Sequence, residues 1–359
     1  MRILQLIDSL ESGGAERMAV NYANTLAKKI SFSGLTATRK EGELIHQIDK
    51  NVSYLFLNKK RKIDLKAIFK LRKYIVENKI TIIHAHSSSF FTAVLVKLTL
   101  LKIKIVWHDH YGTRFKESWK ENKVLIPLSV FFSSIFVVNY QLRDWSQKKM
   151  LCKRVVFIPN FAIKENNVDE ITNLKGVDGK RIVFLANLKN PKNHILMLKA
   201  FLDLKLQESE WTLHLIGRDY FDEYSVLLKN FIDSNKLEKH IHLYGERKDI
   251  QFILSQAEIG VLTSTEEGFP VTLLEYATNK LGVVSTNVGF CPEVIKNEIT
   301  GLLFNPLNDF ELKNQLQKMI NDKVFRKDMA DKLKVLGDNN YSKEVAVEKL
   351  LSEYKRLNQ

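Results

Sequence analysis

Residues 259–286 read IGVLTSTEEGFPVTLLEYATNKLGVVST. An apolar run at 259–262 gives way to threonine, serine and glutamate around a glycine, then to Pro270 and apolar residues at helical spacing, then to a second apolar run at 283–285. The reading is strand, turn over 263–269, helix, strand. Proline suits the first helical position, where its fixed φ is correct and its missing N–H is not needed. Neither strand shows the polar alternation of a half-exposed sheet, so both belong in a sheet buried on two faces, with the helix as the crossover that parallel pairing requires. Such a unit implies a doubly wound α/β fold that takes its ligands at the carboxyl ends of the strands. Two carboxylates mark that end: Glu267 in the turn and Glu275, eight positions on, inside the helix. The helix start offers the N–H groups of Phe269, Val271 and Thr272 to an anion. Carboxylates on either side of an anion site suit a ligand with hydroxyl groups flanking phosphate, which describes a nucleoside diphosphate sugar. Capping of the helix by Glu267, with Glu275 paired on its surface, is the alternative.

The pattern recurs along the chain. Strands are expected at 3–7, 34–38, 52–57, 80–85, 103–108, 135–138 and 155–158, and again at 181–186, 211–216, 241–244, 259–262, 283–285 and 301–304, with amphipathic stretches such as 15–28 and 194–206 between them. The alternation restarts near residue 180 after a polar segment. This predicts two Rossmann-like parallel-sheet domains facing a central crevice, at 1–160 and 181–340, with a linker over 161–180 and a C-terminal helix over 341–359 that packs back on the first domain.

Composition agrees with a globular protein: 45% of the 359 residues are apolar and 27% charged, enough for two cores and too apolar for disorder. The opening MRILQLIDSL runs straight into alternating structure, so no signal peptide is expected. The longest apolar stretch, VLIPLSVFFSSIFVV at 124–138, has 15 residues with Pro127 and three serines, short of the roughly 20 that span a bilayer. It reads as buried helix followed by strand. Two cysteines, Cys152 and Cys291, stand apart without metal-ligand companions, as in a reducing compartment. The net charge of +14 is uneven: residues 1–160 hold 28 Lys and Arg against 12 Asp and Glu, the remainder 27 against 29. The densest basic run, 59–79, carries Ile63, Leu65, Ile68, Leu71 and Ile75 at roughly helical spacing, a core stripe under a basic face. That face is either a solvated surface or a docking surface for an anionic membrane or phosphorylated partner.

At the end of the first strand, Gly13 and Gly14 lead into a helix without the spacing of a dinucleotide fingerprint, and lone paired glycines there are a weak signal for a phosphate or sugar contact. With STEEGFPVTLLEYA they complete a resemblance. That segment, with VVSTNVGFCPEV, GLLF, SGGAER, IIHAH, IVWHDHYG, IPNF, LHLIGR and IHLYGERKDI, resembles the family 4, group 1 glycosyltransferases of bacterial surface polysaccharide synthesis, whose fold is GT-B, and covers nearly the whole chain. The resemblance implies that Glu275 binds the ribose, that Glu267 and His110 contact the donor sugar, and that Gly268, Phe269, Pro270, Val271 and Thr272 form the phosphate-binding turn. It adds Gly13, Gly14 and Gly217 to the donor site, and Lys192 to the diphosphate. Of the two strand-end histidines, His110 matches the family position better than His108. The sequence also departs from the family. Where the family places an arginine to pair with the lysine, this chain has Asn187, with Lys189 available to compensate. Phe290 and Phe161 replace loop glycines, which is expected to narrow the crevice.

The activity implied is retaining transfer of a hexose from a UDP- or GDP-linked donor to a glycan or lipid-diphosphate-linked acceptor. No D-x-D and no His/Cys/Asp cluster at metal spacing is found, so no metal and no further cofactor is expected. A GT-B nucleotide-sugar epimerase and a catalytically weak partner subunit are the alternatives. No nucleic-acid motif occurs, so nucleic acid is not an expected partner. The basic half is the acceptor half in this family, so a cytoplasmic enzyme, peripheral on the inner face of the cell membrane, is expected.

Overall fold

The computed structural model describes residues 1–11, 13–162 and 170–359. All thirteen apolar runs form strands: β1 (Arg2–Ser9), β2 (Phe32–Lys40), β3 (Ser53–Phe56), β4 (Ile82–His86), β5 (Lys104–Asp109), β6 (Ser134–Val137) and β7 (Val155–Phe157), then β8 (Arg181–Leu185), β9 (Thr212–Ile216), β10 (Ile241–Gly245), β11 (Ile259–Leu262), β12 (Gly282–Thr286) and β13 (Leu302–Phe304). They make two sheets, ordered β3-β2-β1-β4-β5-β6-β7 and β10-β9-β8-β11-β12-β13. Every pairing is parallel. In each sheet the strand order reverses beside the first strand of the unit, β1 or β8, the switch point at which such sheets take ligands.

The chain divides into two compact units, Met1–Asn160 with Lys343–Gln359, and Phe161–Ser342. The last helix, Lys343–Asn358, buries Ala346, Val347, Leu350 and Tyr354 in the first unit, and its Glu353 pairs with Arg154. Of the segment read as a linker, residues 163–169 lie outside the described residues. Beyond them Thr172 and Leu174 are buried in the second unit, where the Asp249 carboxylate accepts the Thr172 amide at 2.6 Å and Gln256 accepts that of Leu174 at 3.0 Å. Hydrogen bonding of the backbone, invisible to apolar periodicity, places this stretch. The 124–138 stretch forms a short helix, Leu125–Leu128, a single 3₁₀ turn and β6. Among the described residues no helix is long and apolar enough to cross a membrane.

The basic run departs from expectation. Asp64 caps the helix by accepting the Ala67 amide at 3.2 Å, so the helix is Leu65–Glu77 and Ile63 precedes it. Ile68, Leu71 and Ile75 face the core, but Ile63 and Leu65 are exposed, as are Phe69 and Val76. At about 100° per residue Leu65, Phe69, Arg72 and Val76 share one outward face. Lys59, read as part of the basic face, is buried and donates to Thr92 Oγ1 at 2.7 Å.

Candidate active site

In the second unit, the Tyr276 hydroxyl sets the helix Val271–Thr278 against the strand ends. It accepts the Leu185 amide of β8 at 2.9 Å and donates to the Val261 carbonyl of β11 at 3.1 Å. The turn before that helix is tied to the loop after β8. Thr263 donates to the Asn193 carbonyl at 2.8 Å and the Thr265 amide to the Pro191 carbonyl at 2.9 Å. These ties bring Lys192 to Glu267: Nζ lies 2.6 Å from Oε1, and Ser264 Oγ donates to the same oxygen at 2.6 Å. Glu267 is buried, so a carboxylate that the sequence leaves free to cap or to bind is already neutralised by the lysine assigned to the diphosphate.

Pro270 is the cap and not the first helical residue, because its ψ of 85° lies outside the helical range; the helix begins at Val271. Of the three amides expected to await an anion, that of Val271 is bonded to the Phe269 carbonyl at 3.0 Å, closing the turn on itself. Thr272 donates its hydroxyl to the Leu185 carbonyl at 3.2 Å. Gly268 lies partly buried in the bend before the helix, and Glu275 half-buried in the helix. Gly289 fixes the facing loop. Its φ is +57°, and a Cβ there would lie 1.7 Å from the Glu267 carbonyl oxygen, so only glycine permits this approach. Phe290 does not line a cleft. It is buried against Phe269, with ring centroids 5.0 Å apart, and Tyr341 packs edge-on to both. Phe161, the other glycine replacement, is likewise fully buried in the second unit.

Asn187, at the position of the family's arginine, accepts the Arg218 amide at 2.9 Å and so joins the loops after β8 and β9. Arg218 and Lys189 both stand over the Tyr220 ring, 5.2 and 5.8 Å from its centroid. Gly217 lets these loops meet, since a Cβ would lie 2.1 Å from the Ala186 carbonyl oxygen. Sequence reasoning named Asn187, Lys189 and Gly217 but missed Arg218, although the LHLIGR stretch contains it. Arg218 thus lies in the loop one strand over from Asn187, joined to it through its amide.

In the first unit Gly13 caps the helix Gly14–Ala27. The Glu16 carboxylate folds over Gly13, where a Cβ would lie 2.2 Å from Oε2, while Gly14 faces open space. On one face of the sheet, Gln5 of β1, His84 and His86 of β4, and His108 of β5 with the following His110 form a polar cluster inside an otherwise apolar core; Gln5 is in register with His84 and His86 with His108. Tyr22 stacks on His86, and the Tyr354 hydroxyl of the last helix lies 2.6 Å from His84 Nδ1. Burial drives all four imidazoles neutral: His84, His86 and His108 fall well below the usual range and His110 is pushed down to about 3. His84, His86 and His108 bring nitrogens within 4.8 Å of one another, a metal-ligand spacing that two strands create and that the linear sequence conceals. Here all of those nitrogens except His108 Nε2 are engaged: the His84 and His108 rings with each other, His84 also with Tyr354, and His86 with Gln5 and His110.

Two family models divide the chain between them: "Glycosyltransferase Family 4" matches residues 12–163 and "Glycosyl transferases group 1" matches residues 165–335. The chain belongs to the family 4, group 1 glycosyltransferases. Among relatives of this glycosyltransferase are an O-antigen biosynthesis glycosyltransferase of Escherichia coli, 23% identical over 88% of this chain and 89% of that one. An α-1,4-N-acetyl-D-galactosaminyltransferase of Campylobacter jejuni, whose name gives a diphospho-undecaprenol-linked acceptor, is 25% identical over 93% of each chain. The Anabaena protein HepE, solved with UDP and glucose, shares the fold at a TM-score of 0.82 and 16% identity, covering 99% of this chain and 100% of that one. The glycosyltransferase therefore has the GT-B type of architecture, two Rossmann-like domains, that its motifs imply. Lys192, Glu267 and Glu275 lie within the group 1 match and His110 within the family 4 match.

Proposed function

We propose that this glycosyltransferase moves a hexose from a UDP- or GDP-linked donor to a lipid-diphosphate-linked glycan, with retention of anomeric configuration and without a divalent metal, in the assembly of a capsule, O-antigen or exopolysaccharide. The observation that carries the reading is the Lys192–Glu267 pair at the strand ends beside a helix start. Breaking the donor's C–O bond leaves charge on a diphosphate and an oxocarbenium-like sugar. Lys192 has three N–H groups and commits one to Glu267; the others meet the leaving diphosphate as preorganised donors. Oε1 of Glu267 already takes Lys192 and Ser264, which leaves Oε2 for hexose hydroxyls. Glu275, on the helix, binds the ribose. Arg218 and Lys189 supply the positive charge that Asn187 lacks. With retention, the acceptor attacks the face the diphosphate leaves, and the departing phosphate takes the acceptor's proton.

The lipid-linked acceptor in the Campylobacter relative's name supports an acceptor of that class, and the basic first unit supports a peripheral position on the cytoplasmic leaflet. Thermal-shift measurements with UDP, GDP, ADP and their common sugars test the donor, since a ligand of the folded state alone raises its stability. UDP is the first to try. The nucleotide sugar that stabilises is then incubated without acceptor: slow hydrolysis with the anomer retained is expected. An epimerised nucleotide sugar would identify an epimerase, and binding without turnover a catalytically weak partner.

A further inference from the structure

The histidine cluster of the first unit ends in two buried nitrogens, His110 Nδ1 and His108 Nε2, with no hydrogen-bond partner among the described residues. Their protonation follows from the two chains that lead to them. In the first, Gln5 Oε1 lies 2.8 Å from His86 Nε2, and His86 Nδ1 lies 2.9 Å from His110 Nε2. A carbonyl oxygen only accepts, so His86 carries its proton on Nε2. His86 is neutral by burial, so its Nδ1 is a lone pair and His110 must donate to it from Nε2. His110, also neutral, is left with a bare Nδ1. In the second chain the Tyr354 hydroxyl is 2.6 Å from His84 Nδ1, a length of O–H donors that is short for an N–H donor, and His84 Nε2 is 3.2 Å from His108 Nδ1. Tyr354 therefore donates to His84, His84 to His108, and His108 keeps its proton on Nε2. Two rings stacked 4.0 Å apart thus end in opposite functions, one acceptor and one donor.

We infer that Gln5 and His86 are positioning residues that lock His110 in the Nε2–H tautomer, so that its Nδ1 stands as a bare acceptor for a substrate hydroxyl. The hydroxyl is that of the donor hexose if His110 has the sugar contact that the family resemblance implies, and in that respect the inference rests on the proposed glycosyl transfer. A sugar hydroxyl meets a bare imidazole nitrogen by donating to it, whereas an Nδ1–H would demand the hydroxyl's lone pair and turn it the other way. Two residues without substrate contact thereby set the direction of one substrate hydrogen bond. Gln5 oriented with its amide nitrogen toward His86 would reverse every proton of the first chain, which is the alternative the test decides.

Long-range ¹H–¹⁵N correlation spectra of the unliganded full-length protein with ¹⁵N-histidine read the tautomers, with His110 assigned by the loss of its signals in His110→Asn. His86 and His110 are each expected to show an unprotonated Nδ1 and a protonated Nε2; a protonated Nδ1 on His110 overturns the inference. Gln5→Met keeps much of the volume and removes the acceptor, so His110 should divide between tautomers. If His110 keeps the single Nε2–H form in that variant, Gln5 does not position it. Hydrolysis of UDP-glucose and UDP-galactose separates this inference from the functional reading: kcat should fall roughly tenfold in Gln5→Met with the UDP thermal shift retained. A displaced tautomer with an unchanged rate confirms the lock and removes His110 from the hexose site.

Discussion

Lys192 and Glu267 are assigned to different parts of the substrate, yet they hold each other, and this changes what mutation of either will do. Glu267 is buried and Lys192 a quarter exposed, so removing the lysine leaves a carboxylate stranded in a poorly solvated turn. Lys192→Ala is expected to slow transfer by roughly 10²-fold and to lower the stability of the second unit by about 2 kcal/mol. The pair should couple: urea denaturation of Lys192→Ala, Glu267→Gln and the double variant should give a combined loss smaller than the sum. Strict additivity would mean the ion pair contributes nothing to the fold. The two glutamates divide differently. Glu275→Ala should weaken nucleotide binding with kcat little changed, and Glu267→Ala should depress kcat with nucleotide affinity kept, because the first is proposed to hold the spectator ribose and the second the reacting sugar. Calorimetric titration of UDP or GDP against both variants decides it, and equal losses of affinity would remove the division.

Among elements, the helix Leu65–Glu77 diverges most from its sequence reading. Its apolar residues form two stripes: Ile68, Leu71 and Ile75 inside, and Leu65, Phe69 and Val76 outside among Lys66, Lys70, Arg72 and Lys73. A basic helix with exposed apolar residues on one side is suited to lie at a lipid headgroup layer, where each cation contributes roughly 1 kcal/mol near an anionic leaflet. Sedimentation with anionic liposomes should carry the protein down at low salt and release it as salt screens the charge. Replacing Lys60, Arg61 and Lys62 by glutamate should abolish binding with nucleotide affinity intact, and Phe69→Ser should weaken binding even at low salt. Lys59 is left out of the set because its ammonium is inside. Binding to neutral and anionic vesicles alike would point to Phe69 and its neighbours rather than to charge.

Acid should act on the whole molecule through its buried histidines. His84, His86, His108 and His110 in the first unit, and His194, His214 and His242 in the second, have pKa values lowered by burial, His110, His194 and His214 to about 3. Such groups are neutral when folded and take up protons near pH 6.5 when unfolded. Their contribution is intact above about pH 6.5 and lost as pH falls toward 3, at up to roughly 1.4 kcal/mol per pH unit for each group. Four of the seven, among them the three that fall well below the usual range, lie in the first unit, so that unit should unfold first on acidification. Tryptophan emission in a Trp211→Phe variant, whose remaining tryptophans are all in the first unit, should show a urea midpoint that drops steeply between pH 6.5 and 5. A midpoint flat over that range would show that the cluster accepts protons without unfolding.

The sequence alone determined the thirteen strands, their parallel pairing and the repeat of one architecture, because strand burial on both faces is written into contiguous apolar runs and the crossover helices into 3.6-residue spacing. It also marked Glu267 and Glu275 around one helix start at a strand end, where this topology binds ligands, and through the family resemblance Lys192 and His110. Tertiary structure decided how they are used. Lys192 meets Glu267 across 75 positions of chain, Gln5 meets His86 across 81 and His84 meets Tyr354 across 270, contacts that no local pattern records. Nor does composition tell that Lys59 turns inward and Phe69 outward, or that Phe290 packs on Phe269. Periodicity reports which side of an element is apolar. Which partner meets a given polar atom depends on the register of strands brought together only by folding, and that register sets the charge, the tautomer and the direction of each hydrogen bond in the site.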